Sequence, residues 1–137
     1  MANDSQASNG GPSLDGDGRA LNRLMGIVAS SAADGRARCD VEATGDEATP
    51  STFAITTAVD IALVRAASTT VAPPEEMNGT AELNVSYLRT PTSTAHVSCE
   101  VIGRSATSRL VEFAVADDAG EFARGRSTYA VRVRRSS

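Results

Sequence analysis

The sequence predicts an α+β domain in which an antiparallel β-sheet wraps around one long central helix. Three observations indicate this class: residues 51–68 are apolar on almost every side, four strand-like runs follow them at short spacing, and a strand with regular apolar–polar alternation precedes them. A helix that is apolar all round is usually surrounded by protein. We therefore expect this helix to form the centre of the domain.

The 137 residues, of which 41% are hydrophobic, are enough for a single domain with one core. Residues 1–18 are rich in Gly, Ser, Asn and Asp, so we expect a disordered tail there and a domain over residues 19–137. No stretch is long and apolar enough to cross a bilayer, and the N-terminus lacks the pattern of a signal peptide. The sequence thus predicts a cytoplasmic protein with no membrane partner.

The composition excludes several kinds of chemistry. All 13 basic residues are arginine, which excludes a Schiff-base lysine and a lysine-dependent phosphate loop. The net charge of −4, without a basic stretch interleaved with aromatic residues, argues against a nucleic-acid partner. Cys39 and Cys99 lie in the apolar phase of predicted strands, so we expect reduced core residues and neither a disulfide nor a metal site. No cofactor is predicted.

The elements before the central helix follow from local patterns. A short amphipathic helix is predicted from the spacing of four apolar residues, Leu21, Leu24, Met25 and Val28. Gly26 or the Ser30–Ser31 pair would end it. Asp34–Gly35 predicts a two-residue hairpin turn, and residues 36–43 then alternate as a strand with one buried face.

The segments after the central helix have strand character in four runs, which are residues 80–89, 94–103, 107–117 and 121–133. Their connections are too short to contain crossover helices. We therefore expect the four strands to form an antiparallel meander, with the last pair turning at residues 117–120.

One carboxylate, Asp60, interrupts the apolar helix, where an ionised group is costly unless it is paired or hydrogen-bonded. Thr56 and Thr57 lie one turn before it and Thr52 two turns before it, which makes a polar stripe toward the helix N-terminus. The functional interpretation is a general base or nucleophile with a raised pKa, assisted by free N–H groups near Thr52 and Phe53. The alternative is that Asp60 faces solvent or caps a loop.

Four segments carry a further likeness: Ala58-Val59-Asp60 in the helix, GTAELNVSYLRTP at residues 79–91, VIGR at 101–104 and GRSTY at 125–129. Together with the order of helix and strands, they resemble the hotdog-fold acyl-CoA thioesterases of the phenylacetate-degradation type over residues 20–133. The resemblance implies a hotdog fold. It also implies hydrolysis of an acyl-CoA or acyl-carrier thioester.

The resemblance implies roles for three residues. In such enzymes the helix carboxylate attacks the thioester or activates water, and a backbone N–H at the helix start binds the thioester oxygen. These roles would fall to Asp60 and the amide of Thr52. A Ser or Thr at the start of the next strand assists across a dimer interface, and Thr80 has that position, although an ordinary strand-edge threonine is the alternative.

We also expect residues that line the substrate channel and a partner subunit. The candidate substrate-binding residues are Phe53, Thr56, Thr57, Asn84, Tyr87, Arg89 and Arg104, in which the arginines suit phosphate groups. A homodimer or a dimer of dimers is expected, because a single sheet around one helix leaves a strand edge exposed and the resembling family completes its sites between subunits.

The chain departs from the resembling family at the start of the helix. Members usually have His-Gly-Gly there, whereas this chain has Ser51-Thr52-Phe53. Glycines permit close approach to the acyl carbonyl, so their loss would narrow the pocket or move the oxyanion donor. The alternative function is therefore a non-hydrolytic hotdog protein that binds an acyl thioester or serves as a scaffold. His96, the only histidine, is predicted on an exposed strand face, which leaves none beside the helix for a hydratase.

Overall fold

The structure, a computed structural model, describes residues 20–135, and the tail predicted over residues 1–18 lies outside them. The elements follow in chain order as β1 (Ile27–Ala33), β2 (Arg36–Val41), α1 (Thr52–Ser68), β3 (Glu75–Tyr87), β4 (Ala95–Arg104), β5 (Ser108–Asp117) and β6 (Gly120–Val133). Within residues 20–135, no helix has the length and apolarity that a membrane span requires.

The six strands form one antiparallel sheet in the order β1-β2-β4-β5-β6-β3. The predicted antiparallel sheet around a central helix is confirmed. The predicted meander is right for β4, β5 and β6 but wrong for β3, which pairs with β6 from Glu75↔Val133 to Tyr87↔Ala123. β2 occupies the place beside β4, so β3 takes the free edge of β6 and the connection over residues 88–94 crosses the end of the sheet.

The central helix α1 agrees with the predicted segment and packs on the inner face of the sheet. Its N-terminus is capped by Ser51, whose Oγ accepts a hydrogen bond from the Ala54 amide at 3.0 Å. The buried face consists mostly of small residues, which let the sheet approach closely: Ala54, Ile55, Ala58, Val59, Ala62, Leu63, Ala66 and Ala67. Opposite them on the sheet, Cys39 and Cys99 are buried, and burial raises the pKa of each thiol to about 12.

The N-terminal region corrects one sequence prediction. Residues 20–24 are helical, but the helix predicted to include Val28 ends at Gly26, and Ile27 already begins β1. Gly26 has φ +79°, and a Cβ there would lie 2.1 Å from the Glu42 carbonyl oxygen, so only glycine fits. The Gly26 carbonyl accepts from the Glu42 amide at 2.8 Å and starts the β1–β2 ladder.

The Asp34–Gly35 turn joins β1 to β2 as predicted. Both residues have positive φ, at 52° and 77°, which is the backbone of a type I′ hairpin turn. The alternation after this turn places Ala37, Cys39 and Val41 in the core.

Candidate functional site

A row of polar side chains runs along the side of α1 that faces the end of β3. The hydroxyls of Thr56 and Tyr87 lie 2.8 Å apart, and Thr56 Oγ1 also donates to the Thr52 carbonyl at 2.9 Å. Thr57 Oγ1 donates to the Phe53 carbonyl at 2.9 Å. Helix and strand therefore meet through hydroxyl groups at the N-terminal end of α1.

Asp60 follows Thr56 by one helical turn and is half-buried. Its carboxylate makes no hydrogen bond or ion pair with any residue from 20 to 135, so it caps no described loop. The position is neither sealed in the core nor fully in water. A carboxylate in this state keeps its acceptor sites for a ligand.

Tyr129 on β6 is a side chain of the sheet whose pKa is affected by the charge of Asp60. It is buried, with 8% of its surface exposed, and it lies opposite Thr80 of β3 in the strand register. Burial raises the pKa of the Tyr129 phenol, and the negative charge of Asp60 raises it further. Tyr129 and Thr80 are therefore neighbours on the β3–β6 pair.

The start of α1 presents free backbone donors. The Ser51 side chain accepts a hydrogen bond from the Ala54 amide, and the Ser51 carbonyl accepts one from the Ile55 amide, both at 3.0 Å. The amides of Thr52 and Phe53 have no acceptor in the part of the chain that the structure describes. They point from the positive end of the helix dipole, which favours a negatively charged oxygen. The Phe53 side chain beside them is 73% exposed.

Arg89, a predicted substrate-binding residue, is bound to the fold instead. Its guanidinium holds both oxygens of the buried Asp117 carboxylate, at 2.6 Å and 2.9 Å, and also donates to the Thr90 and Gly120 carbonyls. The pair with Arg89 holds the pKa of Asp117 well below its usual range, with help from the Thr92 and Ala119 amides. Arg89 therefore fastens the connection after β3 to the β5–β6 turn.

The other two polar candidates also lie away from Asp60 within one chain. Arg104 donates to the carbonyl of Thr70, beyond the C-terminal end of α1, which is about 25 Å from the N-terminal end. Asn84 pairs with Arg126 in the register and shares the outer face of the sheet with it. The structure places Thr52, Phe53, Thr56, Thr57 and Asp60 along α1, with Tyr87 of β3 against Thr56. Thr80 lies further back on the same strand as Tyr87.

One cavity lies away from Asp60. It is a shallow depression of about 570 Å³ on the outer face of the sheet. Its charged walls pair with one another, Arg36 with Glu100 at 2.9 Å and Arg126 with Glu112 at 3.5 Å. His96 lies on this outer face as predicted, with Nδ1 2.7 Å from Asp40 Oδ1. We place the candidate site around α1, where the Asp60 carboxylate and the amides of Thr52 and Phe53 have no partner among residues 20–135.

No protein-family model and no curated protein matches the chain. Solved structures do match it. A thioesterase from Haemophilus influenzae is 11% identical with a TM-score of 0.69, covering 82% of each chain. A phenylacetic acid degradation-related protein from Ralstonia eutropha is 18% identical with a TM-score of 0.65, covering 81% of this chain and 89% of its own. The chain has the hotdog fold.

A third match adds a ligand to the comparison. A hypothetical thioesterase from Streptococcus pneumoniae, solved with coenzyme A, is 11% identical with a TM-score of 0.66, covering 88% of this chain and 98% of its own. At these identities the likeness is one of fold. The hotdog fold predicted from the resemblance is confirmed.

Proposed function

We propose that this hotdog protein is a thioester hydrolase acting on acyl-CoA or acyl-carrier substrates, with Asp60 as general base or nucleophile. The observation that carries the proposal is the half-buried Asp60 carboxylate, which has no partner within residues 20–135. The fold shared with thioesterase structures, one of them holding coenzyme A, supports the reaction class.

The proposed reaction begins with attack on the thioester carbonyl carbon. Asp60 either takes a proton from the attacking water or bonds to the carbon itself, forming an anhydride that water then hydrolyses. In both routes the carbonyl oxygen becomes negative and the free amides of Thr52 and Phe53 donate to it. The C–S bond breaks, the thiolate takes a proton, and one water is consumed to give an acid and a thiol.

The remaining roles follow the geometry around α1. We assign the acyl surface to Phe53, Thr56 and Thr57 on the first two turns of α1 and to Tyr87 of β3, which meets Thr56. Arg89, Arg104 and Asn84 are left out of this surface within one chain, because the first two are bonded elsewhere and the third lies on the outer face.

A second subunit is part of the proposal. β3 is a 13-residue edge strand, and its outer backbone groups are free to pair with another chain. Tyr87 and Leu88, at its end, are 37% and 65% exposed. A homodimer or a dimer of dimers would cover this edge and carry Thr80 of one copy toward Asp60 of the other.

The alternative function, acyl-thioester binding without hydrolysis, is favoured by one observation. The first turn of α1 carries the side chains of Thr52 and Phe53 beside the free amides, where glycine would leave open space. An acyl carbonyl that cannot reach those amides would bind without being activated.

The test is thiol release from short, medium, long and aromatic acyl-CoAs and from an acyl-carrier thioester. The wild type is compared with Asp60→Asn and with the control Asp40→Asn, which alters an outer-face carboxylate. We expect turnover of at least one substrate, a loss on the order of 10³-fold in Asp60→Asn, and little change in Asp40→Asn. Binding of acyl-CoA without thiol release from any substrate would favour the alternative.

A further inference from the structure

The carbonyl of Thr52 is held by side chains from two elements at the start of α1. Thr56 Oγ1 donates to it at 2.9 Å, and the Tyr87 hydroxyl of β3 lies 3.5 Å from it and 2.8 Å from Thr56 Oγ1. Thr56 has one hydroxyl proton, which goes to the carbonyl, so the Tyr87 hydroxyl donates to Thr56. A relay of two hydroxyl groups thus runs from β3 to the Thr52 carbonyl.

This carbonyl shares a peptide plane with a free backbone donor. The Thr52 C=O and the Phe53 N–H belong to the same peptide unit, whose atoms lie in one plane and whose two groups point in opposite directions. The Phe53 amide has no acceptor within residues 20–135, and it is one of the two amides proposed to bind the thioester oxygen. The contacts that fix the carbonyl therefore also fix the direction of this N–H group.

The next peptide unit along α1 is held in a similar way but has no free donor. The Phe53 carbonyl accepts a hydrogen bond from Thr57 Oγ1 at 2.9 Å. The N–H of that unit belongs to Ala54 and donates to Ser51 Oγ at 3.0 Å. The relay from Tyr87 thus acts on the peptide unit whose N–H group remains available to a substrate.

We propose that Tyr87 and Thr56 are positioning residues, which act through the Thr52 carbonyl to orient and polarise the Phe53 N–H toward the thioester oxygen. This inference rests on the proposed thioester hydrolysis. A hydrogen bond to a carbonyl draws electron density from the nitrogen of the same peptide unit, so the N–H becomes a stronger donor, and hydrogen bonds in a chain polarise one another. The relay also ties the first turn of α1 to the sheet, where a helix end would otherwise fray.

Contact with the acyl chain alone would give Tyr87 and Thr56 a different kinetic pattern. Loss of an acyl contact changes KM by an amount that depends on the length and shape of the chain. Loss of an oriented oxyanion donor lowers kcat by the same factor for every chain, because the thioester carbonyl is common to all substrates. The two roles can therefore be separated by comparing kcat and KM over a series of acyl groups.

The kinetic test compares Tyr87→Phe and Thr56→Val with Ser68→Ala. Ser68 is the matched control, because its Oγ donates to the Arg65 carbonyl at 2.9 Å at the other end of α1. We expect kcat to fall about tenfold in Tyr87→Phe and in Thr56→Val, by a similar factor for every acyl chain, and to be unchanged in Ser68→Ala. The double variant should be no slower than the slower single variant, because both residues act through one carbonyl. An unchanged kcat in Tyr87→Phe, with any effect confined to KM, would overturn the proposal.

A second test does not depend on turnover. It uses a ketone analogue of acyl-CoA in which a methylene group replaces the thioester sulfur, so that no thiolate can leave, and it measures the infrared stretching frequency of the bound carbonyl. We expect this frequency to be lower on the wild type than in water, and the difference to be smaller on Tyr87→Phe and Thr56→Val. If the variants reduce the difference while no thioester is hydrolysed, the positioning role stands and the proposed hydrolysis fails. An equal frequency on all three proteins would overturn the positioning role.

Discussion

The buried polar groups of this fold differ in how completely the protein bonds them. Arg109 and Asp117, at the two ends of β5, are satisfied by neighbouring residues. Asp60, half-buried on α1, has no hydrogen-bond or ion-pair partner within residues 20–135. Since buried polar groups in native proteins are normally paired, the exceptions call for an explanation. The satisfied groups hold the fold together, and the unsatisfied groups are the ones that a ligand would complete.

Arg109 shows the satisfied state most clearly. Its side chain is 1% exposed, and all five of its N–H groups donate to neighbours at 2.9 to 3.2 Å. The acceptors are Thr70 Oγ1, the carbonyls of Thr70, Ser105 and Ser108, and the Glu75 carboxylate. One residue thereby joins the end of α1, the start of β3 and the β4–β5 hairpin.

The largest effect on stability is expected for Arg109→Met, which leaves these acceptors without a donor. We expect the free energy of unfolding to fall by about 3 to 5 kcal/mol. Urea denaturation measures the loss. The matched control is Arg36→Met on the outer face, whose pair with Glu100 is 71% and 52% exposed. Arg36→Met should lower the free energy of unfolding by no more than about 1 kcal/mol. Equal losses of stability in the two variants would contradict the difference between buried and exposed arginine contacts.

The next effect is expected for Asp117→Asn, which breaks the contact with Arg89. Because the folded pKa of Asp117 is lowered, its contribution to stability is complete above the pKa of the unfolded carboxyl, about 4, and is lost as the pH falls toward the folded pKa. The variant should melt several degrees below the wild type at pH 7, and the gap should narrow below about pH 4.

Thermal melts between pH 7 and pH 2 measure this gap. A gap that stays constant over the whole range would mean that Asp117 titrates normally in the folded protein. Specific activity at pH 7 should be retained in the folded fraction, since the Arg89–Asp117 contact lies outside the candidate site.

Phe53→Ala should have the smallest effect on stability and should act on the site instead. The side chain is 73% exposed, so the free energy of unfolding should change by no more than about 0.5 kcal/mol. If Phe53 contacts the acyl group, KM should rise most for aromatic and long acyl chains while kcat is kept. An unchanged KM across the acyl series would remove Phe53 from the proposed substrate surface.

Much of the fold could be predicted from local patterns. The Asp34–Gly35 turn, the alternation of β2 and the apolar residues of α1 each specify their own conformation. The position of β3 in the sheet could not be predicted in this way, because apolar–polar alternation defines the two faces of a strand and does not define which strand lies beside it. Contacts between distant segments set that neighbour, including the Arg89–Asp117 pair at the crossing. The start of β1 was not predicted, because Val28 continues the helical spacing of apolar residues past Gly26.

The candidate site was predicted only in part. Asp60 stands out because it interrupts an apolar helix. Arg109 and Asp117 carried a similar signal, since both share the buried phase of β5 with Phe113.

We propose that Asp60 acts in the reaction whereas Asp117 stabilises the fold, and one paired measurement tests this difference. Thiol release and melting temperature are measured together on Asp60→Asn and Asp117→Asn. We predict that Asp60→Asn loses on the order of 10³-fold in rate and keeps its melting temperature, while Asp117→Asn melts lower and keeps its rate. An Asp60→Asn protein that hydrolyses thioesters at the wild-type rate would contradict the account.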